Sequence, residues 1–266
     1  TGDVYVLYNR FLSEEGFSTL PKVPVEKRKL PYEDVYPVLY FKYRLLNRQA
    51  KGNVKHLIVD EMQDYSRLQY KILQMLFPCR MTILGDRAQT MEDRIQDVTT
   101  FLPEIFGREI RTIYMNKSYR NTVEIASYAN RLAGIQDMDL FERHGKPVKE
   151  LEFDSLREAA EKIAEEVKEE EGKYETEAVI LSDEKSASLF TSLLKEMLGE
   201  NVFYLHRDSR KFEKGLTVTT FYLAKGLEFD RVFSVFPKEE KSALFRQGRY
   251  ITATRALHEL HSYFIN

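Results

Sequence analysis

The sequence has 266 residues, of which 43% are hydrophobic and 31% charged, with a formal net charge of −2. This length accommodates one large domain or two modest ones with separate cores, and we expect two. No apolar run approaches the roughly twenty residues that span a bilayer, which argues against a membrane role. The chain also lacks the basic excess of a dedicated nucleic-acid module, so any contact with nucleic acid is expected to be local.

The cysteine and histidine content restricts the chemistry further. A single cysteine, Cys79, rules out a disulfide framework, and five scattered histidines give no zinc-binding spacing. We therefore expect a cytoplasmic protein whose only metal is Mg²⁺ bound with a nucleotide. The opening residues Thr1-Gly2-Asp3 have neither an initiator Met nor the features of a signal peptide, and they predict that the chain is a segment of a longer protein.

Short β-branched runs alternate with helix-like segments, a pattern typical of an α/β protein with mainly parallel sheets. The predicted strands are 56–59, 81–84, 178–181, 202–205, 216–219 and 232–235. A helix is predicted from 156 to 167, opened by a capping box of Ser155 and Glu158, and another is predicted to stop at Gly199. The acidic run 165–171 is interpreted as a solvated helix face.

The segment 107–109 separates two α/β series and predicts a domain boundary, with domains at 1–107 and 108–266. The first series contains only two convincing strands, which is too few for a complete nucleotide-binding domain. We therefore expect part of the first domain to lie upstream of this chain.

The predicted strand 56–59 runs directly into the adjacent carboxylates Asp60 and Glu61. In open α/β sheets, ligands lie in the crevice beyond the carboxyl ends of the strands. One carboxylate there can hold Mg²⁺ on the phosphates of a nucleotide, while the other orients and deprotonates the attacking water. An acidic pair after a strand is also common in structural turns, and the flanking residues decide between the two interpretations.

Later polar residues also suit nucleotide chemistry. The strand 81–84 runs into a glycine turn and then Gln89, whose amide can both donate to and accept from a γ-phosphate group. Arg120 and Arg255 are candidate arginine fingers, since an arginine from a second domain can stabilise charge on a transferring phosphoryl group. Tyr119 and Phe229 are interpreted as core residues.

Segments 57–64, 82–89, 117–122, 219–230 and 250–256, taken in this order, resemble motifs II to VI of UvrD/Rep-like superfamily 1 helicases. The combination of Asp-Glu-Met-Gln-Asp with Ala-Lys-Gly-Leu-Glu-Phe-Asp is the most specific part of the resemblance. The Tyr-Glu-Asp helix at 32–34 and the late Thr-Arg-Ala-Leu-His-Glu-Leu look most similar to the helicase IV-like HelD branch. The resemblance extends from about residue 54 to about residue 260.

The resemblance implies a RecA-like P-loop NTPase fold, with ATP and Mg²⁺ bound in the cleft between two RecA-like domains. The implied roles are Mg²⁺ binding for Asp60, water activation for Glu61, a link to neighbouring motifs for Gln63, coupling to the strand-binding channel for Gln89, γ-phosphate contact for Arg120 and Arg255, ribose contact for Glu228, and support of the nucleotide and nucleic-acid loop for Thr220, Lys225 and Gly226. Tyr222 replaces a histidine common in the family, which leaves its DNA role open, although an aromatic ring can stack on a base.

No Gly-x-x-x-x-Gly-Lys-Thr/Ser segment occurs in the sequence, so the chain has no glycine-rich loop for the phosphates. In the resembled family this loop precedes the acidic motif, and we expect residues 1–266 alone to hydrolyse no ATP.

The favoured function is part of an ATP-dependent helicase or translocase acting on DNA that is single-stranded or has a single-stranded region. The alternative is a HelD-type remodelling factor that binds RNA polymerase and uses ATP as a conformational effector. The short connection between 205 and 216 and the negative net charge motivate that alternative. A metal-dependent nuclease based on Asp60 and Glu61 is a third and weaker hypothesis.

Overall fold

The structure is a computed structural model, which describes residues 2–45, 51–86, 98–107, 109–115, 117–135, 139–209, 215–239 and 242–266. These residues form two compact units, of which the first ends at Thr112 and the second begins at Ile113. We call them unit 1 and unit 2. The sequence placed the boundary slightly earlier, after residue 107.

Unit 1 contains a small parallel sheet and the helices around it. Its described elements are α1 (Val4–Glu14), α2 (Tyr32–Leu45), β1 (His56–Val59), α3 (Arg67–Leu76), β2 (Arg80–Ile83) and α4 (Val98–Phe106). Strands β1 and β2 pair in parallel, with Val59 opposite Ile83. Helix α3 begins with a full capping box between Ser66 and Gln69, which satisfies backbone donors at both positions.

The sheet of unit 1 is held by a core that α3 and α4 share with β1. Buried Tyr70 of α3 packs with Val59, Phe101 and Leu102. A second cluster, formed by Tyr5, Tyr8, Leu12 and Leu20, belongs to the α1 and α2 region. The first of these cores therefore fixes the strand that leads into the predicted acidic motif.

Unit 2 is built on a six-stranded parallel sheet with the order β5-β10-β9-β6-β8-β7. Its described elements are β3 (Lys117–Ser118), α5 (Val123–Ala133), β4 (Asp139–Leu140), β5 (Lys149–Phe153), α6 (Leu156–Glu169), β6 (Thr176–Leu181), α7 (Glu184–Leu198), β7 (Val202–Tyr204), β8 (Gly215–Thr220), α8 (Phe221–Ala224), β9 (Phe229–Pro237), α9 (Ala243–Thr254) and β10 (Ala256–Ile265). Strands β3 and β4 pair separately, also in parallel.

The central strand β6 of unit 2 is covered on both faces. Val179 and Leu181 pack into the core that α6 and α7 form over the sheet. The alternating residues Ala178 and Ile180 are also fully buried. The predicted α/β class with parallel sheets is therefore confirmed, and the architecture is consistent with the RecA-like fold that the resemblance implies. No described helix is both long and apolar enough to cross a membrane.

The helix ends of unit 2 follow the sequence signals with one difference. Ser155 caps α6 by accepting from the Glu158 N–H, and α7 ends at Gly199, whose φ is 75°. The Glu158 carboxylate, however, accepts from the N–H of Asp154, one residue before the cap. The predicted capping box is thus displaced by one residue, while the helix starts where the sequence indicated.

Two sequence interpretations of side-chain environment are wrong. The acidic run 165–171 is not wholly solvated, since Glu166 is buried and Glu170 bonds to the buried Arg231. Tyr119 is not a core residue but is 62% exposed, with its ring 5.5 Å from that of Phe141. Phe229, in contrast, is fully buried as expected.

Candidate functional site

The acidic motif of unit 1 stands at the carboxyl end of β1. Asp60 follows buried Val59 and is exposed, and its Oδ1 accepts the backbone N–H of Glu61 at 2.8 Å. Glu61 has φ 53° and ψ 50°, a left-handed conformation that costs a non-glycine residue about 1 to 2 kcal/mol. Of the described residues other than glycine, only Glu61 has positive φ. The backbone is therefore strained where the sequence predicts the catalytic base.

Gln63 connects Glu61 to the turn that follows β2. Its side chain is buried, its Nε2 donates to Glu61 Oε2 at 2.5 Å, and its Oε1 accepts the Asp86 N–H at 3.1 Å. The neighbouring Met62 N–H donates to the carbonyl oxygen of Leu84 at 2.8 Å. One amide group, that of Gln63, thus contacts both Glu61 and the turn after β2, as the predicted link to an adjacent motif requires.

Gly85 lies where these two turns approach most closely. A Cβ atom there would stand 2.4 Å from Met62 Cγ, 2.5 Å from Gln63 Oε1 and 2.7 Å from the Met62 backbone nitrogen. Real Cβ contacts essentially never reach such distances, so glycine is required by close approach rather than by its φ. The turn after β2 therefore sits directly on the acidic motif.

The donor chemistry of this edge suits Mg²⁺ bound together with a nucleotide. Mg²⁺ prefers hard oxygen ligands and usually takes one or two carboxylates, the remaining ligands being water and phosphate oxygens. Asp60 offers an exposed carboxylate at the strand end, with one oxygen oriented by the Glu61 N–H. Among the described residues no group of three or more His, Cys, Asp or Glu could hold a metal ion by itself. The exposed carboxylate of Asp60 therefore fits the predicted Mg²⁺ role, which stays a prediction.

In unit 2, the segment 219–230 links the end of β8 to β9. Thr220 ends β8 and is buried, and Gly226 adopts a left-handed φ of 83° after half-buried Lys225. Tyr222, in the short helix α8, is 44% exposed, with its ring centroid 3.9 Å from that of Phe221. Thr220 therefore supports this segment from the core, whereas Tyr222 reaches its surface.

Arg120 and Glu228, predicted from separate motifs, form an ion pair in unit 2. The Arg120 Nε lies 2.8 Å from Glu228 Oε1, and the two side chains are 47% and 42% exposed. A predicted γ-phosphate contact and a predicted ribose contact therefore lie next to each other on an accessible surface.

Arg255, the second predicted arginine finger, lies inside unit 2. Its side chain is 3% exposed. Its Nε donates to the Ile251 carbonyl oxygen at 3.2 Å, its Nη1 to the Leu227 carbonyl oxygen at 3.3 Å and its Nη2 to Thr254 Oγ1 at 3.0 Å. In this structure the guanidinium group thus braces the end of α9 and the segment that carries Glu228.

The structure therefore gathers the predicted residues into two groups. Asp60, Glu61 and Gln63 are together in unit 1, and Arg120, Glu228 and Arg255 are linked in unit 2. Gln89 lies outside the described residues. Sequence reasoning missed Asn121 and Arg143, which tie the backbones around both arginines.

A buried ionic network in unit 2 was also missed. Arg231 of β9 is almost fully buried and pairs with Glu177 of β6 and with Glu170, 2.7 Å away. His261 of β10 lies between two carboxylates, with Nδ1 2.5 Å from Glu166 and Nε2 2.7 Å from Glu259. Complementary charges are therefore buried along three adjacent strands.

The network alters the ionisation of its carboxyl groups. Burial opposes the charge of Glu166, but the hydrogen bond and charge of His261 hold the pKa of this carboxyl at about 2. Burial likewise opposes the charge of Glu259, yet contacts with His261, Lys146 and Tyr174 hold its pKa well below the ordinary value. Both groups are thus stabilised as carboxylates.

Comparison with known proteins identifies helicase sequences that are similar to parts of this chain. The UvrD/REP helicase N-terminal domain family matches residues 13–91, which include the acidic motif and Gly85. Two curated relatives are named as DNA helicases. DNA helicase II of Haemophilus influenzae is 29% identical over 100 residues, covering 35% of this chain and 13% of the relative. The ATP-dependent DNA helicase Rep of Buchnera aphidicola is 29% identical over 136 residues, covering 48% and 18% respectively.

The family match and these relatives show that parts of this chain are similar to UvrD/Rep-like helicases. The chain spans less than a fifth of the length of either relative, at 13% and 18%.

Two solved structures match the chain with TM-scores below 0.5. The C-terminal domain of a "possible" DNA helicase from Lactobacillus plantarum has a TM-score of 0.46 and 23% identity, covering 56% of this chain and 88% of that one. Arterivirus nonstructural protein 10, a helicase, has a TM-score of 0.42 and 15% identity, covering 97% of this chain and 50% of that one.

Proposed function

We propose that this chain is part of an ATP-dependent DNA helicase or translocase, in which ATP hydrolysis drives movement on DNA. Residues 1–107 would be the rear portion of the first RecA-like domain, and residues 108–266 most of the second. The observation that carries the proposal is the arrangement at the end of β1, where Gln63 binds both Glu61 and the turn after β2. The family match over the same residues supports it.

Unit 1 supplies the groups that act on the attacking water. Asp60 would hold the Mg²⁺ bound with ATP, and that ion would neutralise charge on the phosphates. Glu61 accepts a proton from the water, with its carboxylate oriented by Gln63. Gln89 senses the γ-phosphate and relays its state toward the DNA.

Unit 2 supplies the groups that contact the rest of the nucleotide and the DNA. Arg120 and Arg255 stabilise charge on the transferring phosphoryl group, and Glu228 binds the ribose. This role requires the Arg255 guanidinium to exchange its present backbone partners for phosphate oxygens. The proposed roles in the adjoining loop are nucleotide binding for Lys225 and Gly226 and DNA contact for Thr220 and Tyr222.

The chain by itself is proposed to be catalytically silent. It contains no Gly-x-x-x-x-Gly-Lys-Thr/Ser segment, so it lacks the backbone amides and lysine that cradle the β- and γ-phosphates. Weak ATP binding without hydrolysis is the expected behaviour of residues 1–266, and a protein that also supplies such a loop is expected to be active.

The test is a DNA-stimulated ATPase assay of the full-length protein. Glu61→Gln removes the proposed base while keeping a side chain of the same shape, and it is expected to lower kcat by about 100-fold or more. Glu104→Gln is the matched control, because Glu104 is an exposed carboxylate of unit 1 that pairs with Arg67. Full activity in the Glu61→Gln protein, or strong ATPase activity from residues 1–266 alone, would contradict the proposal.

A HelD-type factor that remodels RNA polymerase is the alternative. The observation that favours it is the adjacency of β7 and β8, which pair directly although only residues 205–214 connect them, leaving no large inserted domain. Co-purification of RNA polymerase with the full-length protein, combined with absent strand displacement, would favour the alternative. Strand displacement without polymerase binding would exclude it.

A further inference from the structure

Asn121 joins the two arginine-bearing segments of unit 2. It follows Arg120 in the chain, and its side chain is buried. Its Nδ2 donates to the carbonyl oxygen of Ala256 at 2.6 Å and to that of Thr254 at 3.3 Å. These two carbonyl groups flank Arg255, at the junction where α9 ends and β10 begins. A single amide therefore holds the backbone on both sides of Arg255.

Arg143 ties the same two segments a second time. Its Nη2 contacts the carbonyl oxygen of Arg120 and donates to that of Leu257 at 2.8 Å. Close packing reinforces this connection, since a Cβ atom at Gly145 would stand 2.6 Å from Thr122 Cγ2 and 3.2 Å from the His258 carbonyl oxygen. The segments around 120 and 255 are thus fixed to each other by the side chains of Asn121 and Arg143.

Both arginines also contact consecutive residues of one loop. Arg255 Nη1 donates to the Leu227 carbonyl oxygen, and Arg120 Nε pairs with the Glu228 carboxylate. A shift of either segment would therefore move an arginine relative to its partner in the loop. The spacing of the two guanidinium groups depends on the junction that Asn121 holds.

We infer that Asn121 is a positioning residue. It fixes the position of Arg255 relative to Arg120, so that both can stabilise charge during ATP hydrolysis. The inference rests on the proposed function. The geometry requires an amide, because its NH₂ group offers two donors to two carbonyl oxygens. Aspartate has the same shape but presents an acceptor where a donor is needed, so Asn121→Asp places like partial charges against each other.

The experiment measures ATP hydrolysis by the full-length protein with DNA present. Asn121→Ala and Asn121→Asp are each expected to lower kcat at least about tenfold, as the loss of orienting contacts does elsewhere. The KM for ATP is expected to change less than about threefold, because the arginines act on charge that develops in the transition state. Thr191→Val is the matched control, since it removes a buried 2.7 Å hydrogen bond to the Ala187 carbonyl oxygen in α7.

A double-mutant comparison separates positioning from general destabilisation. Asn121→Ala in an Arg255→Ala background is expected to lower kcat far less than it does in the wild type, because the residue it positions is already gone. Equal losses in both backgrounds would overturn the inference, and so would Asn121→Ala with kcat within twofold of the wild type. If Asn121→Ala does not fold, Arg143→Gln is compared instead, in the wild-type and Arg255→Ala backgrounds. That variant removes the second connection between the two segments.

The outcomes for the two proposals are distinguishable. An inactive wild-type protein overturns the proposed function and this inference together. An active wild type with normal kinetics in the Asn121 and Arg143 variants overturns only the inference.

Discussion

Gln63 donates a 2.5 Å hydrogen bond to the carboxylate of Glu61 while its other amide atom accepts the Asp86 backbone N–H. Glu61 stands in a strained left-handed conformation, so its orientation depends on such support. Movement of the turn after β2 is therefore transmitted to the proposed base through one buried side chain. This relationship makes Gln63 the most informative position in unit 1 for mutation.

Replacing Gln63 is expected to reduce hydrolysis more than binding. Gln63→Ala removes the hydrogen bond from Gln63 to Glu61 and is expected to lower kcat about 10- to 100-fold in the full-length protein. Gln63→Glu sets two carboxylates against each other and is expected to be at least as damaging. The control is Gln74→Ala, whose side chain bonds to the Ile105 carbonyl oxygen away from the acidic motif. Steady-state ATPase kinetics of all three variants provide the measurement, and wild-type kcat in Gln63→Ala would disprove this role.

Gly85→Ala is expected to destabilise unit 1, because the new methyl group would overlap Met62 and Gln63. Overpacking of this kind costs about 1 to 3 kcal/mol in the free energy of unfolding. Gly52→Ala is the control, since a Cβ atom at Gly52 meets no atom within 4 Å. Urea unfolding of the chain compares the two variants, and equal midpoints would show that the turns do not pack as described.

The exposed pair of Arg120 and Glu228 is expected to matter for activity and little for stability. With side chains 47% and 42% exposed, the pair contributes less than about 1 kcal/mol to folding. Glu228→Gln should therefore leave thermal unfolding nearly unchanged and raise the KM for ATP. The charge-swapped protein Arg120→Glu/Glu228→Arg re-forms an ion pair, and it is expected to fold normally without recovering ATPase activity. Recovery in the swapped protein would mean that the pair is only structural.

Unit 2 is expected to lose stability in acid through Glu166. Burial opposes the charge of Glu166, but contacts with His261, Lys149 and Tyr263 together hold its pKa in the folded protein at about 2, against an ordinary value of 4.5. A lowered pKa stabilises the fold above pH 4.5, and this contribution disappears as the pH falls from 4.5 towards 2. Its size is on the order of 3 kcal/mol.

Glu166→Gln checks this assignment. The variant is expected to be less stable than the wild type at pH 7, with the difference shrinking below pH 4. Glu165→Gln serves as the control, because Glu165 is an exposed neighbour whose carboxylate pairs with Lys162. The measurement is denaturant unfolding of the wild type and both variants between pH 7 and pH 3. A difference in unfolding free energy between Glu166→Gln and the wild type that stays constant at every pH would contradict the linkage.

The strands predicted from sequence are those with continuous apolar, β-branched runs. The run 178–181 lies within β6, where these residues are buried on both faces of the sheet, and 56–59 coincides with β1, where only Val59 is buried. Strand β10 was not predicted, since Glu259 and His261 interrupt its apolar pattern. Those polar groups are buried because Lys146, Tyr174 and Glu166 from distant parts of the chain bind them, and no local signal reports such partners.

The residues of the candidate site likewise divide into those that a local sequence pattern predicts and those that depend on distant contacts. A strand followed by two carboxylates was sufficient to single out Asp60 and Glu61. The buried position of Arg255 and the role of Asn121 could not be predicted, because Asn121 bonds to a carbonyl oxygen 135 residues further along the chain. Only the folded topology brings β10 next to the segment that carries Arg120.

Strand β10 lies between β5 and β9 and pairs with both. Strand β5 is made much earlier, yet among the described strands it pairs with β10 alone. During synthesis on the ribosome, β5 and one edge of β9 therefore remain unpaired until β10 has left the exit tunnel. Unit 2 must close its sheet by inserting an interior strand late, which exposes the nascent protein to edge-to-edge aggregation at that step.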